Sequence, residues 1–527
     1  MSQLFGGIDC STQSCKLVIL DLDLSKIFYT DIINYDKDLP QYNTLNGVIQ
    51  GLGEGVSESD PQMWIDAIEL LFARLKKANF PIREIKAISV SGQQHGLVCL
   101  DKEGNFSRSR SKLWNDFSTR DECDLLTEAA GGVAKMIAEV GNTQRTGYTA
   151  SKIMHFARHE PAAFERTATC FLVHNFVNWY LTGGKKNGVR AMEPGDTSGI
   201  ALWHPAKRNW SQKVINAISP SLKQKLPPVL PSDQSIGTIA THLVSRFGFH
   251  PDCKIDAGSG DNMYGAVGTG NVTPGIVTIS LGTSGTAYTF MEQPFIDPEG
   301  EIAAFCDSTG NYLPLLCVSN LANGYNALLQ QYNLTHEQFN GIASQVSPGC
   351  DGRVLIPWYA GERTPDVPLA APLYFGFGLD DFKKEFLCRA VLEGHILNLY
   401  DGFQRMPVTT KEIRLTGGLS QSVVWCQTIA DIFEAEVVPV GGEGAALGAG
   451  LHAAWVYLKE QKQKVTLQQV VEPFVMLQEN RRKSPVPATV ERYRVVKKLY
   501  HTLSQLIRKQ ITVDDPFELR NELINIT

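Results

Sequence analysis

The segment GIDCSTQSCKLVILD, residues 7–21, decides the fold prediction for this chain. It reads as a β-strand, a tight turn of small hydroxyl-bearing residues and a second strand. Such a turn gathers backbone N–H groups and hydroxyls into one concavity, which suits phosphate oxygens. Asp9 ends the first strand, and Ser11, Thr12 and Lys16 follow it in the turn and the second strand.

A second turn of the same kind lies in VTISLGTSGTAYTF, residues 277–290. Gly282, Thr283 and Ser284 form it, and it contains no carboxylate. Two copies in the two halves of the chain indicate a duplicated fold that closes on a nucleotide from both sides. Only the first copy can handle a metal ion, whereas the second can only donate hydrogen bonds.

The overall composition is that of a soluble globular protein. With 527 residues the chain is too long for one ordinary core, so we expect at least two domains. The net charge of −6 gives no general reason to expect nucleic acid or anionic lipid as a partner. Neither a secretory signal nor a membrane span is evident, and the eleven cysteines form no Cys-x-x-Cys pair. We therefore predict a cytoplasmic protein with reduced thiols and no membrane partner.

Hydrophobic periodicity along the chain follows an α/β pattern that restarts once. The predicted strands are residues 5–9, 16–21, 27–33, 85–90, 254–257 and 413–415, with helices opening at Asp60-Pro61 and Ser422. The restart places a domain boundary between Gly265 and Pro274. It divides the chain into an N-terminal domain at 1–265, a C-terminal domain at 274–457 and a tail at 458–527.

The tail holds 13 Lys or Arg against 8 Asp or Glu, a composition that also occurs in nucleic-acid-binding tails. However, Tyr493, Val496, Tyr500, Leu503 and Ile507 recur at alternating spacings of three and four residues. This spacing favours a helix that docks an apolar face on the body of the protein.

Two carboxylates at strand ends are candidates for chemistry. Asp9 could hold Mg²⁺ through water, because Mg²⁺ keeps much of its hydration shell, or it could close the hairpin as an Asx-turn. Asp261, in GSGDNMYGAVG at 258–268, could act as a general base that accepts a hydroxyl proton. The alternative is an N-cap aspartate at the start of a helix. Three nearby glycines favour a functional role for Asp261 and Asn262.

Histidines offer two further candidates. Gln94 and His95 follow the strand at 85–90 and supply several donors and acceptors, as a polyhydroxylated substrate requires. His155 and His159 have the i, i+4 spacing of two metal ligands on a helix. Because no third ligand lies near them in the sequence, we do not predict a metal site there.

Nucleotide-binding motifs of other folds are absent from the sequence. It contains neither a G-x-x-x-x-G-K-[ST] P-loop nor a G-x-G-x-x-G that opens a helix after the first strand. Instead, Gly417 and Gly418 in TGGLS, residues 416–420, would let a flat base lie against bare backbone. The alternative for this segment is a tight turn between a strand and a helix.

Taken together, eleven segments resemble the motifs of the FGGY family of carbohydrate kinases, within the actin-like ATPase superfamily, and occur in the family's order. They are GIDCSTQSCK (7–16), SGQQHG (91–96), LWNDFSTRDEC (113–123), TGYTASKI (146–153), GDTSG (195–199), GDNMYGAVG (260–268), ISLGTSG (279–285), GERTP (361–365), RAVLEG (389–394), TGGLSQS (416–422) and GAALGAG (444–450). The resemblance runs from about Phe5 to Trp455. It implies an α/β, two-domain actin-like (ribonuclease H-like) ATPase fold with a nucleotide and sugar cleft between duplicated domains.

The resemblance also implies residue roles. Asp261 resembles the catalytic base, and Asp9 the carboxylate that organises Mg²⁺. The positions similar to the family's ATP-binding residues are Ser11, Thr12, Lys16, Gly282, Thr283, Ser284, Gly417, Gly418 and Gln421. The positions similar to its sugar-binding residues are Gln94, His95, Arg145, Asp261 and Asn262.

The implied activity is ATP- and Mg²⁺-dependent phosphorylation of a small sugar, D-xylulose, at O5, with no nucleic-acid partner. Many members of the family are dimers, which implies a homodimer. Ribulose, gluconate and glycerol remain alternative substrates. A non-catalytic actin-like ATPase would need no sugar site and is the alternative from another class.

Overall fold

The computed structural model describes residues 3–442, 444–510 and 514–526, which form two compact units. The first unit comprises the chain up to Thr273 together with Met291–Leu313 and Gly442–Val475. The second comprises Pro274–Phe290, Pro314–Gly441 and the described residues from Met476 onward. Each unit is built on one mixed β-sheet.

The strands of the two main sheets are, in chain order, β1 Leu4–Cys10, β2 Ser14–Asp21, β3 Lys26–Asn34, β4 Ile85–Gly92, β5 Ser235–Thr238, β6 Lys254–Asp256, β7 Ser259–Gly260, β8 Ile276–Leu281, β9 Gly285–Thr289, β10 Leu315–Val318, β11 Glu412–Thr416, β12 Glu436–Gly441 and β13 Met476–Leu477. Short strands pair outside these sheets: Thr44–Leu45 with Val48–Ile49, Glu58–Ser59 with Ser111–Lys112, Val98–Leu100 with Thr169–Phe171, Trp203–His204 with Asn209–Trp210, and Val354–Ile356 with Leu373–Phe375.

The helices of five or more residues are α1 Pro61–Lys77, α2 Arg120–Ala130, α3 Val133–Val140, α4 Thr149–His159, α5 Pro161–Arg166, α6 Val173–Leu181, α7 Gln212–Ile218, α8 Thr241–Phe247, α9 Asp261–Gly268, α10 Asn323–Tyr332, α11 His336–Ala343, α12 Lys384–Phe403, α13 Val423–Phe433, α14 Gly444–Glu460, α15 Leu467–Val471, α16 Pro487–Ile507 and α17 Pro516–Asn525. None of the helices in the described part of the chain has the length and apolar character that a membrane span requires. No disulfide joins the eleven cysteines.

The two main sheets have the same sequence of strand directions. In the first unit β3, β2 and β1 are antiparallel, β4 and β6 continue parallel to β1, and β5 closes the sheet antiparallel to β6. In the second unit β10, β9 and β8 are antiparallel, β11 and β12 continue parallel to β8, and β13 closes antiparallel to β12. The predicted duplication of an α/β fold is thereby confirmed.

Helix α1 shows how sequence sets one layer of the first unit. Asp60 accepts a hydrogen bond from the backbone N–H of Gln62, and Pro61 occupies the first helical position. Trp64, Ile68 and Leu71 are fully buried in the same apolar cluster as the strands. The helix predicted to open at Asp60-Pro61 is confirmed.

A glycine-lined contact joins α14 to α9 in the first unit. An added Cβ at Gly448 would lie 1.9 Å from the carbonyl oxygen of Tyr264, and one at Gly268 would lie 2.3 Å from the carbonyl oxygen of Gly444. Only glycine permits backbones to approach so closely. Because α9 begins at Asp261, this contact fixes the position of that side chain.

The tail forms α16 and α17 within the second unit. Tyr493, Val496, Tyr500 and Leu503 of α16 are buried, whereas Ile507 at its end is 38% exposed. Helix α14 continues to Glu460, so the chain around residue 458 lies inside a helix of the first unit. The compact units therefore interleave along the sequence, and the division at 1–265, 274–457 and 458–527 stays a prediction.

Candidate active site

Three strand ends meet at one edge of the first unit's sheet. Strand β1 runs parallel to β4 with Asp9 opposite Ser91, and β7 runs parallel to β4 with Ser259 opposite the same Ser91. Carboxyl ends of parallel strands share one sheet edge. The sheet therefore brings Asp9 and Asp261, which are far apart in sequence, to the same place.

Asp9 is partly buried and held by its neighbours. The Ser91 hydroxyl donates to Asp9 Oδ1 at 2.7 Å, and Lys16 lies opposite Asp9 in β2. Burial raises the pKa of Asp9 to about 6, against the hydrogen bond from Ser91 and the positive charge of Lys16, which both lower it. The carboxylate is thus short of compensating charge, as expected of a group that receives a cation.

The first turn is tied to two neighbouring segments. The Ser11 hydroxyl donates to the carbonyl of Ser14 at 2.9 Å, which closes the turn. The Thr12 hydroxyl donates to Gln93 Oε1 at 3.3 Å and accepts from the indole N–H of Trp114 at 2.9 Å. Trp114 is 38% exposed, so an aromatic surface accompanies the hydroxyls of the turn.

A chain of polar side chains extends from Asp261. Asp261 Oδ1 accepts from the backbone and side-chain N–H groups of Asn262, at 2.8 and 3.2 Å. Asn262 Nδ2 also donates to Gln94 Oε1 at 2.7 Å, and Gln94 Nε2 donates to Asp196 Oδ1 at 3.4 Å. Burial, then the charges of Asp9 and Asp196, raise the pKa of Asp261 to about 8. The carboxyl group of Asp261 therefore has an affinity for protons well above that of an ordinary aspartate, a perturbation common at functional sites.

Asp261 is the first residue of α9, and Gly260 is its N-cap. The N-cap alternative for Asp261 is therefore wrong, since its carboxylate does not cap the helix from outside. A helix N-terminus nevertheless favours a negative charge at this position.

His95 occupies a constrained position next to Gln94. Its φ of 66° lies in the left-handed region, which non-glycine residues rarely adopt. Its carbonyl accepts from the Thr149 hydroxyl at 3.1 Å and from Lys152 Nζ at 2.8 Å, and its ring packs edge-on against Tyr148. Burial lowers the pKa of His95 to about 4, so the imidazole is neutral at physiological pH.

Arg145 contacts a different segment from the other predicted sugar-binding residues. Its Nη2 donates to the carbonyl oxygens of Gly300 and Glu301 at 3.1 and 3.0 Å. Arg145 thus holds a loop of the first unit. Its predicted role in sugar binding stays a prediction.

The second unit brings its own candidate residues together. Ser280 of β8 lies opposite Thr416 of β11, and an added Cβ at Gly417 would lie 2.5 Å from the carbonyl oxygen of Leu281. The exposed turn at Gly282, Thr283 and Ser284 therefore adjoins the Gly417–Gly418 backbone. An added Cβ at Gly418 would meet no atom within 4 Å, so its backbone is open to a flat ligand.

Gln421 is fixed at the end of that glycine segment. Its side-chain oxygen accepts from Arg481 Nη1 at 2.6 Å, and the same nitrogen donates to its backbone carbonyl at 3.0 Å. The predicted nucleotide contact by Gln421 stays a prediction.

Three residues of this region were missed by sequence reasoning. Ser91 lies in the quoted SGQQHG motif, Trp114 in LWNDFSTRDEC and Asp196 in GDTSG. The motifs were the available signal, but their pairing with Asp9, Thr12 and Gln94 depends on contacts between distant segments.

Sequence comparison places the chain in a family. Residues 4–268 match the N-terminal domain of the FGGY family of carbohydrate kinases, and residues 277–457 match its C-terminal domain. The chain belongs to this family of carbohydrate kinases. The motif resemblance is thereby confirmed.

Named relatives extend over nearly the whole chain. A xylulose kinase of Haemophilus influenzae is 35% identical over 515 residues, which cover 95% of this chain and all of the relative. Among solved structures, a xylulose kinase of Rhodospirillum rubrum superposes with a TM-score of 0.84 at 22% identity, covering 96% of this chain and 99% of the other. A gluconate kinase of Lactobacillus acidophilus gives the same TM-score of 0.84 at 22% identity, covering 96% and 98%. The superpositions confirm the fold, and they do not distinguish between sugars.

Proposed function

We propose that this kinase transfers the γ-phosphoryl group of ATP to O5 of D-xylulose, giving D-xylulose 5-phosphate and ADP. The observation that carries the proposal is the polar chain from Asp261 through Asn262 and Gln94 to Asp196, which offers a base and several donors and acceptors to a polyol. The 35% identity to the Haemophilus influenzae xylulose kinase supports the choice of sugar.

In this proposal Asp261 accepts the proton of the attacking hydroxyl, while Asn262 and Gln94 orient the sugar. In the first unit, the turn hydroxyl of Thr12 serves as a hydrogen-bond donor to phosphate oxygens. Phosphoryl transfer needs mainly positioning and charge neutralisation, and these residues supply the positioning.

The oxygen donors at the sheet edge fit Mg²⁺. Asp9, Ser91 and Asp261 present only carboxylate and hydroxyl oxygens, and Mg²⁺ prefers one or two carboxylates with water and phosphate oxygens. We propose that Asp9 holds the ion through water, because Mg²⁺ keeps much of its hydration shell. The bound ion would neutralise charge on the phosphate oxygens.

The charge at the sugar end favours a neutral substrate over gluconate. His95 is neutral, Gln94 and Asn262 carry no charge, and Asp196 adds a negative charge. Burial lowers the pKa of the neighbouring Lys152 to about 7, and its Nζ already donates to the carbonyl oxygens of His95 and Gly147 at 2.8 and 2.6 Å. A carboxylate substrate would therefore lack a cationic partner among these residues.

A parallel turnover assay with D-xylulose, D-ribulose, D-gluconate and glycerol, read by ADP formation, tests the proposal. We expect the highest kcat/KM with D-xylulose. A higher kcat/KM with D-gluconate would contradict the charge argument. ATP hydrolysis at the same rate with and without every sugar would instead support the non-catalytic ATPase.

We also propose a cytoplasmic homodimer. The eleven free cysteines support a reducing compartment, where thiols persist. Light scattering coupled to gel filtration tests the dimer: a mass of twice 58.1 kDa is expected, and a mass of 58.1 kDa at micromolar concentration contradicts it.

A further inference from the structure

A cluster of potential metal ligands lies on two helices of the first unit, outside the residues assigned to sugar and nucleotide. His155 and His159 are one turn apart on α4, and Glu122 of α2 faces them. One donor atom from each of the three residues can be chosen so that all lie within 4.8 Å of one another. The third ligand that the sequence did not reveal is therefore supplied by a neighbouring helix.

Each histidine lies about one ligand-to-ligand separation of a tetrahedral ion from a carboxylate oxygen of Glu122, His155 from one oxygen and His159 from the other. His155 Nδ1 lies 3.3 Å from Glu122 Oε2, and His159 Nε2 lies 3.5 Å from Glu122 Oε1. Two ligands bonded to Zn²⁺ at about 2.0–2.2 Å in a tetrahedron are about 3.3–3.6 Å apart. Small side-chain rotations would therefore be enough to bring the three donors to one ion.

The solvent exposure and the charge of the cluster are also suitable for a metal ion. The Glu122 side chain is 2% exposed and the His159 side chain is 55% exposed, so the carboxylate lies at the buried end of the cluster and solvent reaches the cluster at His159. Arg158 Nη1 contacts Glu122 Oε1 at 2.5 Å and is the cation that neutralises Glu122 in this structure. A metal ion would compete with Arg158 for the same carboxylate.

We propose that Glu122, His155 and His159 form a binding site for Zn²⁺ or a similar transition-metal ion. Two imidazole nitrogens and one carboxylate oxygen are the donor set typical of such ions, and water would complete the tetrahedron. The ion would join α2 to α4, whose first turn holds the carbonyl of His95 through Thr149 and Lys152. By linking the two helices, the ion would brace the helix that supports His95.

Calorimetric titration of the full-length protein with Zn²⁺ in excess Mg²⁺ tests the site, because excess Mg²⁺ occupies oxygen-only sites. We expect one equivalent to bind the unmodified protein and a His250→Ala control, which removes a histidine outside the cluster. His159→Ala should weaken that binding at least about tenfold, as loss of a ligand exceeds the 10–100-fold effect of losing a supporting residue. Equal affinity in His159→Ala and His250→Ala would overturn the proposal.

Arg158→Gln separates a metal site from a structural ion pair. If the proposal is correct, removal of the competing guanidinium makes Zn²⁺ bind more tightly, and added Zn²⁺ raises the Tm of this variant by more than that of the unmodified protein. If Glu122 serves only its ion pair, the variant loses stability and its Zn²⁺ affinity is unchanged, which refutes the site. Visible absorption of bound Co²⁺ gives a second readout, expected to be that of tetrahedral coordination and to be lost in His159→Ala.

Discussion

Replacing Gly448 by alanine would insert a methyl group where α14 touches α9. The new Cβ would lie 1.9 Å from the carbonyl oxygen of Tyr264 and 2.9 Å from the backbone nitrogen of Gly268. Carbon and oxygen atoms approach to about 3.3 Å at the closest, so the two helices must separate locally by about 1.4 Å. Both obstacles are backbone atoms, so no side-chain rotation can relieve them.

Two consequences can be given a magnitude. Overpacking of this kind costs about 1–3 kcal/mol, and the better helix propensity of alanine returns up to about 1 kcal/mol, so we expect a net loss of about 1–2 kcal/mol. A loss of that size lowers Tm by about 1–3 °C in a unit as large as the first one. Because Asp261 begins α9, a shift of about 1 Å should also lower kcat, by up to about 10²-fold.

Gly341→Ala is the matched control. Gly341 also lies in a helix, α11, but an added Cβ there would meet no atom within 4 Å. Alanine should therefore stabilise this helix by up to about 1 kcal/mol and leave kcat unchanged. Differential scanning fluorimetry and steady-state turnover of the two variants provide the assay. Equal Tm values for the two variants would refute the close-contact argument.

Three further changes test the site and its surroundings. Asp261→Asn keeps an acceptor for the Asn262 N–H groups but removes the base, so kcat should fall about 10²–10⁴-fold while ATP still binds. A kcat within about threefold of the unmodified enzyme would exclude the role assigned to Asp261. Ser91→Ala removes the hydrogen bond to Asp9 and should raise the Mg²⁺ concentration for half-maximal turnover about tenfold, whereas Ser89→Ala, which removes a bond to Tyr264 instead, should not. Burial raises the pKa of Asp256 to about 7, so the folded state binds the proton more tightly than the unfolded state, and the free energy of unfolding falls as pH rises from about 4 to 7. Urea unfolding at pH 5 and pH 8 should show a fall on the order of 1–4 kcal/mol in the unmodified protein and none in Asp256→Asn. Identical pH profiles for the two proteins would contradict this assignment.

Local patterns predicted the fold well where each element carries its own signal. The hairpin β1–β2 and helix α1 follow from a turn of small residues, a proline at the first helical position and an apolar stripe. The same reasoning could not foresee that Met291–Leu313 and Gly442–Val475 pack in the first unit. Such packing depends on tertiary contacts, which periodicity along the chain does not encode.

For the candidate site, too, the sequence indicated single residues but not the partners that they contact. Asp9, Asp261 and Gln94 were identified because polar residues that follow strands are typical of functional edges. The pairing with Ser91 depends on strand register, and the pairing with Asp196 depends on a short helix about one hundred residues away from Gln94. Glu122 was missed for the same reason: its distance from the histidine pair in sequence conceals their contact.

The shared topology of the two sheets shows where the two units differ chemically. The last pair of the first hairpin is Cys10 with Cys15, and that of the second is Leu281 with Gly285, so Ser280 takes the position of Asp9.

At the position of Asp9, the second half therefore carries an uncharged residue, Ser280. An acidic side chain near a triphosphate is useful only where it holds a cation or accepts a proton, and elsewhere it repels the phosphates. A duplicated fold that acts on a nucleotide should therefore keep its carboxylates in one copy and hydrogen-bond donors in the other. The replacement Ser280→Asp tests this reasoning: we expect it to raise the KM for ATP at least about tenfold, with the KM for sugar unchanged, and an unaltered KM for ATP would show that the charge asymmetry is incidental.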